Sequence, residues 1–526
     1  MILCSNFLVL AACALAPQSE LPELTGVLKT ITADGCYEKV NVLADPKMMG
    51  RGTLSAGFDL AAEYVEGQLL EYGLVPPTET GFRIPVTLNC LVAAEDCLLA
   101  FPPDLSGVGD SDGESLEGEG LQVFDQFAPV VGSLEASVSA PAVFVGYAID
   151  SRNDRWRDLN PSKVKGKIVF AFSREPHPDD AKNKKFDGAD ATRHSQLAMK
   201  ARAVAKAGGV GLVIVPDPLL VPDSSLVLPN TTPRVNPSGT EALKFHQRSN
   251  FPKIPVMTAS RDFASAVFGT DIDKYFDKIE KKRRPSLLEA DKKQPIVMNV
   301  SFENKDVDTY NLAAFIKGDG SSDEIIVLGA HLDHVGLDPN ADLMTMTLRP
   351  GADDNASGSA ALLEVAQALA PHKPKHDILF LWFTGEELGL LGSRKYCENP
   401  LVPHEQTIAM LNMDMVGRGD TKKVNIGGLW SRPRWADFVE AQHKRIKSKL
   451  KMDNEQGRDL YARSDQYSFH TQDVVGLFFF EADLETNKFY HQPSDVGESI
   501  DGKKMSLIAQ LFTACTWAIA YEGQRP

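Results

Sequence analysis

Two short runs in the second half of the chain constrain its fold most: Ile325-Ile326-Val327-Leu328 and Ile378-Leu379-Phe380-Leu381-Trp382-Phe383. Neither alternates apolar with polar residues. A strand that carries apolar groups on both faces has to be covered on both, so such runs belong inside a parallel sheet with helices above and below. The first continues through Gly329 and Ala330 to His331-Leu332-Asp333, and the second through Thr384-Gly385 to Glu386-Glu387. Each buried strand therefore delivers titratable side chains at its carboxyl end, where open α/β sheets place their sites.

Other stretches extend this pattern. Pro350-Gly351-Ala352-Asp353-Asp354-Asn355-Ala356-Ser357-Gly358 is followed by Leu362, Val365, Ala366 and Leu369 at the spacing of an amphipathic helix, with Asn355 or Ser357 as its cap. Carboxylates just ahead of a helix N-terminus are favoured by its dipole and free N–H groups, so Asp353 and Asp354 can stay ionised side by side and one can bridge two cations. Met410-Leu411-Asn412-Met413-Asp414-Met415 supplies another strand-end carboxylate, and Tyr490-His491-Gln492-Pro493-Ser494-Asp495 a second imidazole. The side chains of adjacent Glu386 and Glu387 must diverge, which lets one ligate a metal while its neighbour handles protons. Asp333 is placed to accept the free ring N–H of His331 and fix its tautomer. Taken singly these residues have ordinary readings, a solvated helix start for Glu-Glu and a turn for Asp-Asp-Asn. Their conjunction points to a two-metal hydrolytic centre whose nitrogen and oxygen donors suit zinc.

These motifs resemble the co-catalytic zinc exopeptidases, a family that includes secreted bacterial aminopeptidases, glutamate carboxypeptidases and the catalytically inactive transferrin receptor. The resemblance rests on Gly329-Ala330-His331-Leu332-Asp333-His334, Gly351-Ala352-Asp353-Asp354-Asn355-Ala356-Ser357-Gly358, Gly385-Glu386-Glu387, Asn412-Met413-Asp414 and Tyr490-His491. It implies an α/β fold with a mixed, mostly parallel sheet flanked by helices, interrupted by a β-rich protease-associated insert. It also implies two Zn2+ ions per chain, with Asp354 bridging, His331 and Asp414 completing one site and Glu387 and His491 the other. Glu386 becomes the general base acting on a metal-activated water, Asp333 its neighbour in the catalytic set, and a peptide the substrate. Tyr490 resembles a tyrosine that some relatives use to bind the oxyanion. Arg463, Tyr461 and Tyr467 are alternatives for that role, and Ser464-Asp465 with Phe469 resembles a segment near the cleft. Aminopeptidase activity is the expectation. A carboxypeptidase of the same architecture, a non-catalytic receptor-like binder and a glutaminyl-cyclase-like acyltransferase stay open as alternatives.

The rest of the chain bounds this reading. With 526 residues, 43% of them apolar, there is material for two full cores. A net charge of −16 disfavours nucleic acid or an anionic membrane as partner. Phe7-Leu8-Val9-Leu10-Ala11-Ala12 reads as the apolar core of an export signal over residues 1–16, though without the usual basic residue ahead of it; a secreted or periplasmic location follows. Leu10-Ala11-Ala12-Cys13 matches a lipoprotein cleavage pattern, and membrane attachment is expected only if Cys13 is lipidated. No later segment is long enough to span a bilayer.

We expect the N-terminal part of the peptidase domain over 17–128, with a helix over 58–74 stopped at Gly73 and Arg51 as a salt-bridged structural arginine. The insert is expected over 129–290, from apolar runs at 142–147, 165–170 and 209–215, and the catalytic domain over 291–526. Gly109-Asp110-Ser111-Asp112-Gly113 fits a serine-hydrolase elbow but lacks the flanking strand and helix. Lys281-Lys282-Arg283-Arg284 reads as a solvated linker face. Beyond residue 16, Cys36, Cys90, Cys97, Cys397 and Cys515 include no Cys-x-x-Cys pair, so thiolate zinc is unsupported; Cys90 and Cys97 fit either a local disulfide or two buried thiols.

Overall fold

The structure, a computed structural model, describes residues 24–100, 127–130, 133–176, 186, 192–219, 221, 223–225, 234–235, 253–290, 295–336, 348–453, 458–481 and 487–526. The export signal, Cys13 and the elbow-like stretch at 109–113 lie outside these residues. The main sheet comprises β1 (Arg83–Ala93), β2 (Phe302–Ile316), β3 (Ile325–His331), β4 (Asp377–Phe383), β5 (Thr407–Met413), β6 (Lys423–Gly427), β7 (Lys451–Asp453) and β8 (Gly476–Phe480), with the short strand Arg234–Val235 along β1. Across the sheet the order is β1-β2-β4-β3-β5-β8-β6-β7. Strands β4, β3, β5 and β8 run parallel through its centre, β1 pairs antiparallel with β2 and β2 with β4, and β6 pairs antiparallel with β8 but parallel with β7. This is the helix-flanked α/β sheet that the apolar runs predict.

Every residue of β3 is buried, and alternate side chains serve different cores. Ile326, Leu328 and Ala330 pack with α1 (Ala33–Leu43), α2 (Ala56–Glu71), α3 (Gly358–Leu369) and α5 (Gly502–Ala520) on one face. Ile325 and Val327 pack on the other with Leu379, Leu381 and, from α4 (Leu391–Glu398), Tyr396 and Cys397. That double coverage is why the run has no polar alternation. From β3 the chain crosses by α3 to β4 on one side, then by α4 to β5 on the other. The carboxyl ends flanking this reversal form the crevice in which doubly wound sheets hold ligands. Since His331 is in register with Phe383, His331, Glu386 and Glu387 emerge at one level.

Two features press the loops of that edge into place. A Cβ on Gly358 would fall 2.3 Å from Asn355 Oδ1 and 2.4 Å from the Met413 carbonyl, so only glycine lets α3 start this close to the end of β5. Arg51 is fully buried and donates from Nε to the Leu332 carbonyl at 2.9 Å, from Nη1 to those of Leu43 and Pro350 at 2.7 Å each, and from Nη2 to that of Gly351 at 2.8 Å. The expected salt bridge is therefore corrected: Arg51 is structural, but its partners are carbonyls at the end of α1 and in the loops that follow β3 and precede α3. Burial lowers its pKa to about 10, against the pull of Asp354, so it stays charged at neutral pH. Lys39 and Glu364 form a buried ion pair at 2.5 Å that ties α1 to α3.

The second body has its own sheet, ordered Leu288–Glu289, Ala142–Phe144, Ile168–Phe172, Gly211–Val215, Val256–Ala259, Phe127–Pro129, and parallel through its centre. Helices Leu197–Ala207, Arg261–Phe268 and Ile272–Lys282 contribute to its cores, so the segment is α/β rather than simply β-rich. The smaller sheet of Leu98–Ala100, Ile296–Val300 and Ala136–Ala140 adds Leu99, Ile296, Met298 and Val300 to the same core, which thus draws on residues on both sides of 129–290. Residues 281–284 are exposed at the end of the last helix. Cys36, Cys90, Cys97, Cys397 and Cys515 are all buried free thiols. Among the described residues no helix is long and apolar enough to cross a membrane.

Replacing Arg51 with methionine removes the donor from four buried carbonyls, and urea unfolding is expected to show a loss of about 3 kcal/mol or more. Gly358→Ala is expected to lose about 1–3 kcal/mol by overpacking in the same measurement.

Candidate metal centre

His331 closes β3 with its ring buried. Its Nε2 lies 3.3 Å from Asp414 Oδ1, 3.5 Å from Asp354 Oδ1 and 3.9 Å from Glu386 Oε2. Its Nδ1 is 3.0 Å from the Asp333 carbonyl oxygen, whereas the Asp333 carboxylate is 3.8 Å away. The tautomer is therefore set by the backbone of Asp333 and not by its side chain, which corrects the sequence expectation. The carboxylate instead accepts from Thr53 Oγ1 at 2.9 Å and from the Glu386 amide at 3.1 Å, and so positions the Glu386 backbone.

A second group forms beside the first. His491 Nε2 lies 3.0 Å from both Asp354 Oδ2 and Glu387 Oε2. His334 Nδ1 lies 2.8 Å from Glu387 Oε1 and 3.7 Å from Asp354 Oδ2. Asp354 thus turns one oxygen to each group, as a bridging carboxylate must. The side chains of His331, Asp354, Glu386, Glu387, Asp414 and His491 all come together here. His334 was not anticipated; the available signal was a second imidazole three residues after the first, in the same strand-exit loop.

The loops that hold these groups are tied to one another. Asp414 Oδ2 accepts from Ser464 Oγ at 2.7 Å, and Ser464 Oγ accepts in turn from Asn412 Nδ2 at 2.9 Å. Asn355 Oδ1 accepts from the Gly358 and Met415 amides at 2.9 and 3.1 Å, while Nδ2 donates to the Met413 carbonyl. Asn355 is therefore the side chain that caps α3; Ser357 donates to the Asp353 carbonyl instead. Asp353 points away from both groups and accepts from the Gly417 amide. The Asp495 carboxylate accepts from the Asp353 amide and is held by Arg418 Nη2 at 2.6 Å.

Tyr490 stacks on His491 with ring centroids 3.8 Å apart, and its hydroxyl accepts from Arg463 Nη2 at 3.0 Å. It sits on a turn, not at a strand end. Tyr461 is buried with its hydroxyl donating to the Gly476 carbonyl, and Tyr467 packs edge-on against it. Asp354, Glu386, Asp414, Met415, Leu460, Arg463, Ser464, Phe478, Phe480 and Tyr490 line a cleft that opens to solvent.

Electrostatics separate the two adjacent glutamates. Burial raises Glu386 well above the usual carboxylate range; His331 opposes this, while Asp414, Glu387 and Asp465 add to it. For Glu387 burial also pulls upward, but His334 and His491 outweigh it and hold the group well below its ordinary value. His491 is raised to about 10 because Asp354 and Glu387 more than offset its burial.

The fit to metal ions can be judged from orphaned atoms. His331 Nε2, both ring nitrogens of His334, His491 Nε2, Glu387 Oε1 and Asp414 Oδ1 are buried with no partner in hydrogen-bonding geometry. Buried polar atoms seldom go without one. The spacings of 2.8 to 3.7 Å between imidazole and carboxylate atoms bracket the about 3.3 Å edge of a tetrahedron of nitrogen and oxygen donors around zinc. Two donor groups therefore face inward on shared volumes of ionic size: His334, Asp354, Glu387 and His491 in one, His331, Glu386 and Asp414 in the other.

Residues 311–516 match the sequence profile of Peptidase family M28. Over 210 residues the chain is 33% identical to a probable leucine aminopeptidase of Trichophyton verrucosum, covering 38% of this chain and 56% of that protein. The chain thus spans about half the length of this curated relative. Among solved structures, an aminopeptidase from Aneurinibacillus sp. strain AM-1 is similar over 95% of this chain and 96% of its own, at 21% identity and a TM-score of 0.48. A zinc aminopeptidase from Bacillus subtilis is similar over 94% of this chain and 97% of its own, at 18% identity and a TM-score of 0.47. Every donor of both groups falls within the stretch that the profile matches.

Proposed function

We propose that the protein is a zinc-dependent exopeptidase that uses two ions per chain and acts as an aminopeptidase on peptides. The observation that carries this reading is the inward-facing set of orphaned imidazole and carboxylate atoms around Asp354. His331, Asp354 and Asp414 would hold one ion, and Asp354, Glu387 and His491 the other. Zinc bound there supplies Lewis acidity toward the scissile carbonyl and lowers the pKa of a water in the cleft. Glu386 lines the same cleft without a hydrogen-bonding role in the scaffold for its carboxylate, so it is free to accept the water's proton and pass it to the departing amine. Asp333, through the Glu386 amide, keeps that carboxylate at the cleft. Tyr490, held by Arg463, is placed to donate to a developing oxyanion.

Met415, Leu460, Phe478 and Phe480 give the cleft an apolar wall that suits an apolar substrate side chain. The names of the leucine aminopeptidase relatives support release from the amino end. A carboxypeptidase reading is favoured by one feature, Arg463 at the cleft, whose guanidinium has the chemistry to bind a terminal carboxylate. Paired dipeptides distinguish the two: we expect cleavage when the carboxyl terminus is amidated and none when the amino terminus is blocked. The opposite pattern makes it a carboxypeptidase. We also read the chain as exported, on the apolar stretch at residues 7–12; N-terminal sequencing of the mature protein tests this.

Chelation is expected to abolish hydrolysis, and zinc to restore it. Glu386→Gln is expected to keep its metal content, measured by elemental analysis, while kcat falls by about 100-fold or more. Phe478→Ala is expected to raise KM for substrates with a large apolar end residue by about 10-fold, with a smaller effect on alanyl substrates.

A further inference from the structure

We propose that His334 is a metal ligand in its own right, the fourth protein donor to the ion held by Asp354, Glu387 and His491. The two ions would then occupy unequal sites, one closed by four protein donors and one held by three and open to the cleft. This rests on the two-ion reading above.

The first observation is the state of the ring. His334 is 1% exposed, and neither ring nitrogen has a partner in hydrogen-bonding geometry. A buried imidazole whose nitrogens lack aligned partners carries a desolvation cost that a metal ion on one of them would offset. The Nδ1 atom is nonetheless 2.8 Å from Glu387 Oε1 and 3.7 Å from Asp354 Oδ2. Those spacings, without hydrogen-bonding alignment, are what donors sharing one cation show. His491 Nε2 has the same signature, 3.0 Å from each of the same two carboxylates and likewise orphaned.

The second observation is that the surroundings are shaped to the ring. Gly351 has φ +60°, and a Cβ there would lie 2.4 Å from His334 Cγ and Cδ2. The His334 amide donates to the Arg51 carbonyl at 3.1 Å, which fixes the backbone from the opposite side. The ring meets that of His491 edge to face, with centroids 5.3 Å apart, so the two imidazoles reach one volume from different directions.

The third observation is the donor count. Around His331 the remaining carboxylates are Asp354 at 3.5 Å, Asp414 at 3.3 Å and the base Glu386 at 3.9 Å. With Glu386 reserved for protons, that site has three protein donors. Four protein donors close a zinc site, whereas three leave a position for a water or substrate atom. The carboxylates of the His331 site, Asp354 and Asp414, line the cleft with Glu386, whereas the buried rings of His331 and His334 do not. By donor count the open position belongs to the His331 site and the closed one to the His334 site.

The test is a zinc titration of the chelator-stripped full-length protein, with metal content read by elemental analysis and cobalt substitution read by visible absorption. His334→Phe keeps the ring volume against Gly351 and His491 but offers no nitrogen; His334→Ala leaves room for free imidazole. Wild type is expected to bind two ions. Both variants are expected to bind one ion with wild-type affinity and the other more than about 100-fold more weakly, beyond what loss of a residue that only orients a ligand produces. The cobalt spectrum of one site should change, and free imidazole should restore the second ion to the alanine variant. Two ions at wild-type affinity in both variants overturn the assignment. So does a smaller loss, or an equal weakening of both ions, which makes His334 a packing residue. A wild-type protein that binds fewer than two ions instead defeats the two-ion reading itself.

Discussion

Concentrated negative charge, nearly shut off from water, is what the carboxyl edge of the main sheet has to accommodate. Asp354, Glu386 and Asp414 crowd around His331 and Glu387 lies between His334 and His491, with Asp333 and Asp465 buried behind them. Like charges so close in a poorly solvated place cannot all ionise unless cations share the space. Three imidazoles point inward among them, and the same carboxylates raise the pKa of two of these, His331 and His491. Divalent ions resolve this by giving each orphaned nitrogen and oxygen a partner at once. On this view the loops at the edge have one shape because that shape brings the donors to ionic spacing.

Such loops need support, since only His331 lies on a strand and Asp354 sits in the π-helical turn Ala352–Ser357 at a residue with non-helical backbone angles. The support is mainly backbone hydrogen bonding from buried polar side chains. Arg51 gathers carbonyls from both sides of the site, Asn355 joins the start of α3 to the end of β5, and the Asp495–Arg418 pair holds the amides of Asp353 and Asp354. Each satisfies backbone groups that a tight loop would otherwise leave unpaired in the interior. The same bonds restrict the donors, and a metal site holds its affinity only when its outer partners fix the ligands.

How much of this was legible in the sequence depended on the kind of contact. The strands of the parallel centre were legible because their side chains are apolar on both faces, and the donors at their ends followed from strand polarity. Asp333 was misread because spacing places a residue near its neighbour but does not say whether carbonyl or carboxylate turns toward it. Arg51 was read as ion-paired because charge suggests charge, although a planar guanidinium is equally suited to several carbonyls. His334 went unassigned because a residue three beyond a strand end has no fixed direction; only the left-handed turn at Gly351, distant in sequence, makes room for its ring. In the insert, Lys200, Ala201, Ala205 and Ala207 were legible as a helix, and Leu197–Ala207 forms it.

Strand β8 shows why a core pattern and a site pattern can be the same residues. Gly476-Leu477-Phe478-Phe479-Phe480 is apolar throughout and buried throughout. Leu477 and Phe479 face the main core beneath the sheet, whereas Phe478 and Phe480 turn to the other face, join Met415 and Tyr461, and line the cleft. Their rings stack with centroids 5.2 Å apart. Alternation along one rigid strand thus secures the sheet with one set of side chains and walls the cleft with the other. A wall built in this way cannot adjust to a different side chain without disturbing a central strand of the sheet, so selectivity at the cleft is coupled to the packing that positions Asp414 on neighbouring β5.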